Sequence, residues 1–270
     1  MTGTAHHNQN TMATEKKYKY GIVLSGGAVR GFAHAGVLKA LNEAGIYPEV
    51  ISGASAGSIV GALYADGHKP DDILGIFADK SLYKFLEFIV PSKGLMKITG
   101  LHKVLIQQLR ARNFEDLNLP LYITLTDMNH AVPVYISKGE LARAVIASCT
   151  IPLMFTPVVI DGITYVDGGV MNNLPLEPLE GQCEVLIGVN SNPIGYMEEF
   201  KSMIKLTDRA VHMIIESAIR EKKKRFDLFI EPAALNTFGL LDMAKGRDMF
   251  LIGYEEGKKR VKEWQDQNGG

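Results

Sequence analysis

Glu49-Val50-Ile51-Ser52-Gly53-Ala54-Ser55-Ala56-Gly57-Ser58-Ile59-Val60-Gly61-Ala62-Leu63-Tyr64 holds an extended apolar run, a G-x-S-x-G pentapeptide and a helix-like run, in that order. Strand, tight turn and helix is the order a serine nucleophile needs. Small residues at Gly53 and Gly57 let the chain reverse and lift the Ser55 hydroxyl clear of the sheet. The helix that follows turns its amino end toward the reaction, where unpaired N–H groups favour negative charge. The same pentapeptide also occurs by chance in turns that only pack tightly, so neighbouring segments must decide between the two readings.

Upstream, Tyr20-Gly21-Ile22-Val23-Leu24 is an apolar run of strand length that stops at Ser25-Gly26-Gly27-Ala28-Val29-Arg30-Gly31. Phe32, Ala35, Gly36, Leu38, Ala40 and Leu41 then recur near helical spacing, and Gly45 ends the run. A dinucleotide loop needs G-x-G-x-x-G, and the first spacing is missing; a Walker lysine followed by Ser or Thr is missing too. A nest of N–H groups at a helix start remains, suited to the oxygen of a tetrahedral intermediate. Parallel strands joined by one helix lie close together, so this loop and Ser55 are expected at the same carboxyl edge of the sheet.

Two further segments complete a set: Ala147-Ser148-Cys149-Thr150-Ile151-Pro152 and Asp167-Gly168-Gly169. Leu24–Gly31, Gly53–Gly57 and these two, in this order, resemble the patatin-like phospholipases from about Tyr20 to about Asn190. The family's loop commonly carries a third consecutive glycine where this chain has Ala28. The resemblance implies a Ser-Asp dyad, with Ser55 as nucleophile, Asp167 as base, and an oxyanion hole from the N–H groups of Gly26, Gly27 and Ala28. Gly53, Gly57, Gly168 and Gly169 are the supporting glycines. Arg30 has two open roles, fixing the glycine loop or binding a lipid phosphate, beside the plain alternative of a solvent-facing salt bridge.

The residues are compatible with an acid that works without histidine. Val158-Val159-Ile160-Asp161-Gly162-Ile163-Thr164-Tyr165-Val166 reads as a hairpin whose Asp-Gly turn accounts for Asp161. Asp167 has no such turn role, and Gly168-Gly169 free the backbone to place its carboxylate. His212 alone follows it in sequence, inside an apolar helix-like run; His34, His68, His102 and His130 match no base motif and read as structural or exposed. Asn172-Asn173-Leu174-Pro175 reads as a loop that buttresses the site or merely turns, and Ser148 to Pro152 as a structural helix end.

Composition sets the outer limits. With 270 residues, 46% of them hydrophobic, and a net charge of −1, the chain can bury one large core and lacks the cationic excess of a nucleic-acid protein. Residues 1–18 are expected to be a disordered or tag-like segment and residues 19–265 one domain. No signal-peptide centre and no apolar run of about 18 residues is present, so the expected location is cytoplasmic, with room for a peripheral contact with a membrane surface. Cys149 and Cys183 match no metal or redox spacing and are expected buried and reduced. No acidic calcium loop occurs and no cofactor is expected. Leu82–Val90 reads as a packed helix first and an interfacial lid second. Arg220-Glu221-Lys222-Lys223-Lys224-Arg225 reads as a solvated face that could also attract anionic headgroups.

The expected fold is α/β, three layers with a mainly parallel central sheet. The expected function is acyl-ester hydrolysis of phospholipids or other lipids through an acyl-enzyme. A small-ester or thioester hydrolase and a catalytically silent lipid-binding protein of the same fold are the alternatives, and the oligomeric state is not legible.

Overall fold

The computed structural model describes residues 16–78, 99–199, 202–239 and 242–269. The amino-terminal segment to residue 15 and the Leu82–Val90 segment lie outside the described residues.

Strands β1 (Tyr18–Leu24), β2 (Val50–Ala54), β3 (Leu121–Asp127), β7 (Cys183–Val189) and β8 (Leu228–Ile230) form a parallel array in the order β3-β2-β1-β7-β8. Two antiparallel neighbours, β4 (Val132–Ile136) and β6 (Ile163–Asp167), flank β3, and β5 (Val158–Ile160) pairs with β6. The sheet is thus mainly parallel, with an antiparallel margin at one edge. The Asp-Gly hairpin forms as the sequence suggests: Ile160 pairs with Ile163, and Asp161 and Gly162 take φ of 50° and 82°.

Alternation along the strands divides the core into two layers. Ile22 and Leu24 of β1 face the larger cluster, and Val23 between them faces the smaller. Helices α1 (Phe32–Glu43), α2 (Ala56–Ala65), α3 (Pro70–Ala78), α4 (Thr99–Gln108), α5 (Leu141–Ser148) and α7 (Gly246–Asn268) contribute to the larger cluster. On the other face, Ile219 of α6 (Met203–Lys222) packs with Leu174, Leu176 and Leu179 against Val23, Val50 and Leu186. β1 is buried on both sides, which explains its unbroken apolar run.

Strand register positions the site. Ala54 at the end of β2 pairs with Thr124 of β3, and Asp167 at the end of β6 pairs with Leu125, the next residue along the same strand. Ser55, one residue beyond Ala54, therefore meets Asp167 end to end on the same flank of β3, while β4 occupies the other flank. No helix among the described residues is long and apolar enough to cross a membrane.

Candidate active site

Ser55 is the residue between β2 and α2, and it takes φ 49° and ψ −121°. This left-handed conformation is unfavourable for a residue with a Cβ and persists only where the surroundings enforce it. The enforcement is visible. The Ser55 N–H donates to Ser148 Oγ at 2.8 Å, and that hydroxyl donates in turn to the Thr124 carbonyl at 2.8 Å. The Ser55 carbonyl accepts from the Ser58 hydroxyl at 2.6 Å and the Ser58 N–H at 2.9 Å. Glycine at position 57 is required by close approach: a Cβ there would collide with the Leu24 carbonyl and lie 2.7 Å from the Ser25 carbonyl. A Cβ on Gly53 would lie 2.6 Å from the Gly57 carbonyl, so the two glycines of the pentapeptide close the turn on itself.

The Ser55 hydroxyl donates to Asp167 Oδ2 at 2.6 Å across 112 residues of sequence. Both are buried, Ser55 with 7% and Asp167 with 5% of its surface exposed. The other carboxylate oxygen, Oδ1, accepts from the Gly169 N–H at 2.7 Å, and the Asp167 carbonyl accepts from the Thr126 hydroxyl at 2.8 Å. Gly168 lies so close to the Thr124 carbonyl that no side chain fits. Burial pushes the Asp167 carboxyl up to about 6, against the pull of the Ser55 and Gly169 hydrogen bonds. Among the described residues, no imidazole is a hydrogen-bond partner of either side chain. Cys149 is also here, buried and free, and burial followed by the charge of Asp167 pushes its thiol up, leaving it neutral.

The glycine loop reaches the same edge. A Cβ on Gly26 would lie 3.1 Å from Ser55 Cβ and would overlap Asn173 Oδ1. The Gly26 N–H is engaged by the Asn173 carbonyl at 3.1 Å. This corrects the sequence expectation for Gly26: its donor is consumed in the scaffold, where a strand-following loop must satisfy its backbone. Gly27 and Ala28 are half-exposed, open the short 3-10 turn Ala28–Gly31, and have no N–H acceptor among the described residues. These two carry the donors that remain. Ala28 has φ 50°, the conformation for which a third glycine would be suited. Ala28→Gly should therefore raise unfolding free energy by about 0.5–1 kcal/mol, since relief of left-handed strain exceeds the added entropy of the unfolded chain. Chemical denaturation with an unchanged slope would register the gain, and a loss would show that the strain is not felt.

Arg30 is held within the scaffold. It is 91% buried by its 9% exposure and donates to Asn192 Oδ1 at 2.5 Å and to the Phe238 carbonyl at 2.7 and 3.2 Å. Its guanidinium thus ties the glycine loop to two distant loops. Three cations of the basic run at the end of α6 are paired within the fold: Lys222 with Glu177, Lys223 with Glu216 and Glu231, and Arg225 with Glu180. Several scaffold residues escaped the sequence reading. Ser148 sits in a quoted motif but was assigned only to a helix end. His34, by contrast, reads as structural or exposed from the sequence, and it is structural: fully buried beneath the loop, with Nε2 at 2.8 Å from the Ser25 carbonyl. Ser191 has no motif at all.

Residues 22–180, more than half of the chain, match the family model of patatin-like phospholipases. The chain belongs to the patatin-like phospholipase family. Phospholipases and lysophospholipases of this kind are lipid carboxylic ester hydrolases. Among curated patatin-like relatives, lysophospholipase NTE1 of Coccidioides immitis is 27% identical over 92% of this chain, and that of Kluyveromyces lactis 26% over 92%. The chain spans only 18% and 19% of the length of these two proteins. The crystal structure of VipD from Legionella pneumophila superimposes with a TM-score of 0.55 at 14% identity, covering 92% of this chain and 67% of VipD, a likeness of fold. The patatin-like match ends at residue 180, so Ser191, Asn192 and Phe238, which hold the glycine loop, lie beyond it.

Proposed function

We propose that the chain hydrolyses acyl esters of phospholipids or related lipids, with Ser55 as nucleophile and Asp167 as its base. The observation that carries this reading is the 2.6 Å hydrogen bond between two buried side chains, one on a strained strand-to-helix turn and the other an acid displaced to about 6. A carboxylate with that affinity for protons is ionised at neutral pH and still basic enough to accept one.

In the first half-reaction Oγ attacks the ester carbonyl carbon while its proton passes to Asp167 Oδ2. The carbonyl oxygen becomes an oxyanion and receives the N–H groups of Gly27 and Ala28. Collapse breaks the bond to the alcohol oxygen, which takes the proton from Asp167 and departs, leaving an acyl-serine. Water then loses a proton to Asp167, attacks the acyl carbon through the same oxyanion, and releases the carboxylic acid as Ser55 recovers its proton. Arg30 acts in this scheme by holding the loop that carries the donors.

Leu153 follows the Ser148–Pro152 segment, Val170 and Met171 follow Gly169, and all three are exposed. Apolar side chains on the loops that carry the site suit a substrate met at a lipid surface. An alkyl fluorophosphonate tests the chemistry: purified protein should take up one label, located on Ser55 by peptide mass spectrometry. Folded protein that takes none would favour the silent lipid-binding alternative. Turnover compared on phospholipid vesicles and on short soluble esters separates the remaining two, since a lipid hydrolase prefers the aggregated substrate.

A further inference from the structure

Among the described residues the Gly27 N–H has no partner, yet the peptide that bears it is held firmly from its other end. The carbonyl of the Gly26–Gly27 peptide accepts from the Ser25 hydroxyl at 2.9 Å and lies 3.5 Å from the Ser191 hydroxyl. Ser25 Oγ also accepts the Ser191 N–H at 3.0 Å, and the two hydroxyl oxygens are 3.4 Å apart. Both serines are completely buried. In a planar trans peptide C=O and N–H point in opposite directions, so fixing the carbonyl fixes the N–H. Ser191 acts a second time by packing: the position a Cβ would take on Gly27 is 2.5 Å from Ser191 Oγ, so this hydroxyl is the floor on which Gly27 rests.

The preceding peptide is locked differently. Its Ser25 carbonyl faces His34 Nε2 at 2.8 Å and its Gly26 N–H donates to the Asn173 carbonyl, so both ends are spent within the scaffold. Burial holds His34 down at about 4, which keeps the ring neutral with Nε2 as the donor. Two successive peptides are therefore immobilised, and only the second leaves its N–H unengaged.

We infer that Ser191, on the loop after β7, is a positioning residue for the reaction: with Ser25 it holds the Gly26 carbonyl so that the Gly27 N–H meets the developing oxyanion. This rests on the hydrolase reading above. Ser191 lies outside the stretch matched to the family and 136 positions from Ser55 in sequence (191 minus 55), so only the folded chain brings it into play.

A donor allowed to wander weakens the transition state more than the bound ester, because charge on the oxygen appears only during reaction. Ser191→Ala should lower kcat about tenfold with KM nearly unchanged. Affinity for a trifluoromethyl ketone, which forms the same oxyanion on Ser55, should fall by a similar factor. Thermal melting serves as the control for folding. Ser25→Ala, which removes the other hydroxyl from the same carbonyl, should show the same kcat-selective loss and serves if the first variant does not fold. An unchanged kcat in folded Ser191→Ala overturns the inference, as does a loss in KM and kcat together with no selective loss of ketone binding. Wild-type protein that neither turns over ester nor labels at Ser55 would instead remove the hydrolase reading itself.

Discussion

Ser55→Ala is expected to lower kcat for ester hydrolysis by about 10⁴-fold or more and to abolish fluorophosphonate labelling, while the fold persists. No other hydroxyl in the site is placed to replace it: Ser58 Oγ is turned to the Ser55 carbonyl and Ser148 Oγ to the Thr124 carbonyl. The helix loses no side-chain cap, because Ser55 Oγ makes none. Its removal does leave Asp167 Oδ2 without a donor, which should destabilise the folded protein at pH 8 by about 1–2 kcal/mol. Steady-state turnover and denaturant unfolding measure the two effects, and full activity in the variant would remove Ser55 from the mechanism.

Asp167→Asn should lower turnover by about 10³-fold or more and, at the same time, make the protein more stable above neutral pH. Burial raises the acid from 3.8 to about 6, so between those values the folded chain retains a proton that the unfolded chain has released. Stability therefore falls as pH rises from about 4 to about 6, by about 3 kcal/mol in total, and stays reduced above that range. Asparagine carries no charge to bury and can still accept from the Gly169 N–H. The variant should gain about 2–3 kcal/mol over the wild type at pH 8 and nothing at pH 4. In the wild type the same titration should make kcat/KM rise with pH and level off above about 6. Unfolding curves at the two pH values decide the matter; an asparagine variant no more stable than wild type at pH 8 would mean that the carboxylate is not held at a penalty.

That a buried acid should be kept in a destabilised state, beside a serine in a strained backbone conformation, has a common physical source. Both depend on surrounding contacts that leave no relaxed alternative: Ser148 and Ser58 around the turn, Gly168 wedged against the Thr124 carbonyl, and Asn173 between the glycine loop and Gly169. Strain of this sort is a feature of sites and is supported by the stability of the rest of the domain core.

Much of this was readable in order along the chain. Strand, turn and helix at Ser55, the Asp-Gly hairpin and the doubly buried β1 are local consequences of side-chain size, periodicity and turn chemistry, which need no distant partner to be recognised. The donor identities were not. Gly26 looked as suitable as Gly27, because glycine's freedom is the same at both positions; only the folded loop shows that one N–H meets Asn173 and the other finds no acceptor among the described residues. Arg30 likewise carried two roles in the sequence, and only the folded chain shows it reaching Asn192 and the Phe238 carbonyl.

The amino-acid order by itself determined the class of fold, the serine at the turn and the acid before its paired glycines, since each is written in neighbouring residues. The tertiary structure alone decided that the serine and the acid meet on one flank of β3, that the Gly26 N–H is engaged while those of Gly27 and Ala28 find no acceptor among the described residues, and that the Ser191 hydroxyl lies against Gly27. Those outcomes depend on strand register and on hydrogen bonds between segments more than a hundred residues apart, and no local pattern encodes which distant group will satisfy a given carbonyl.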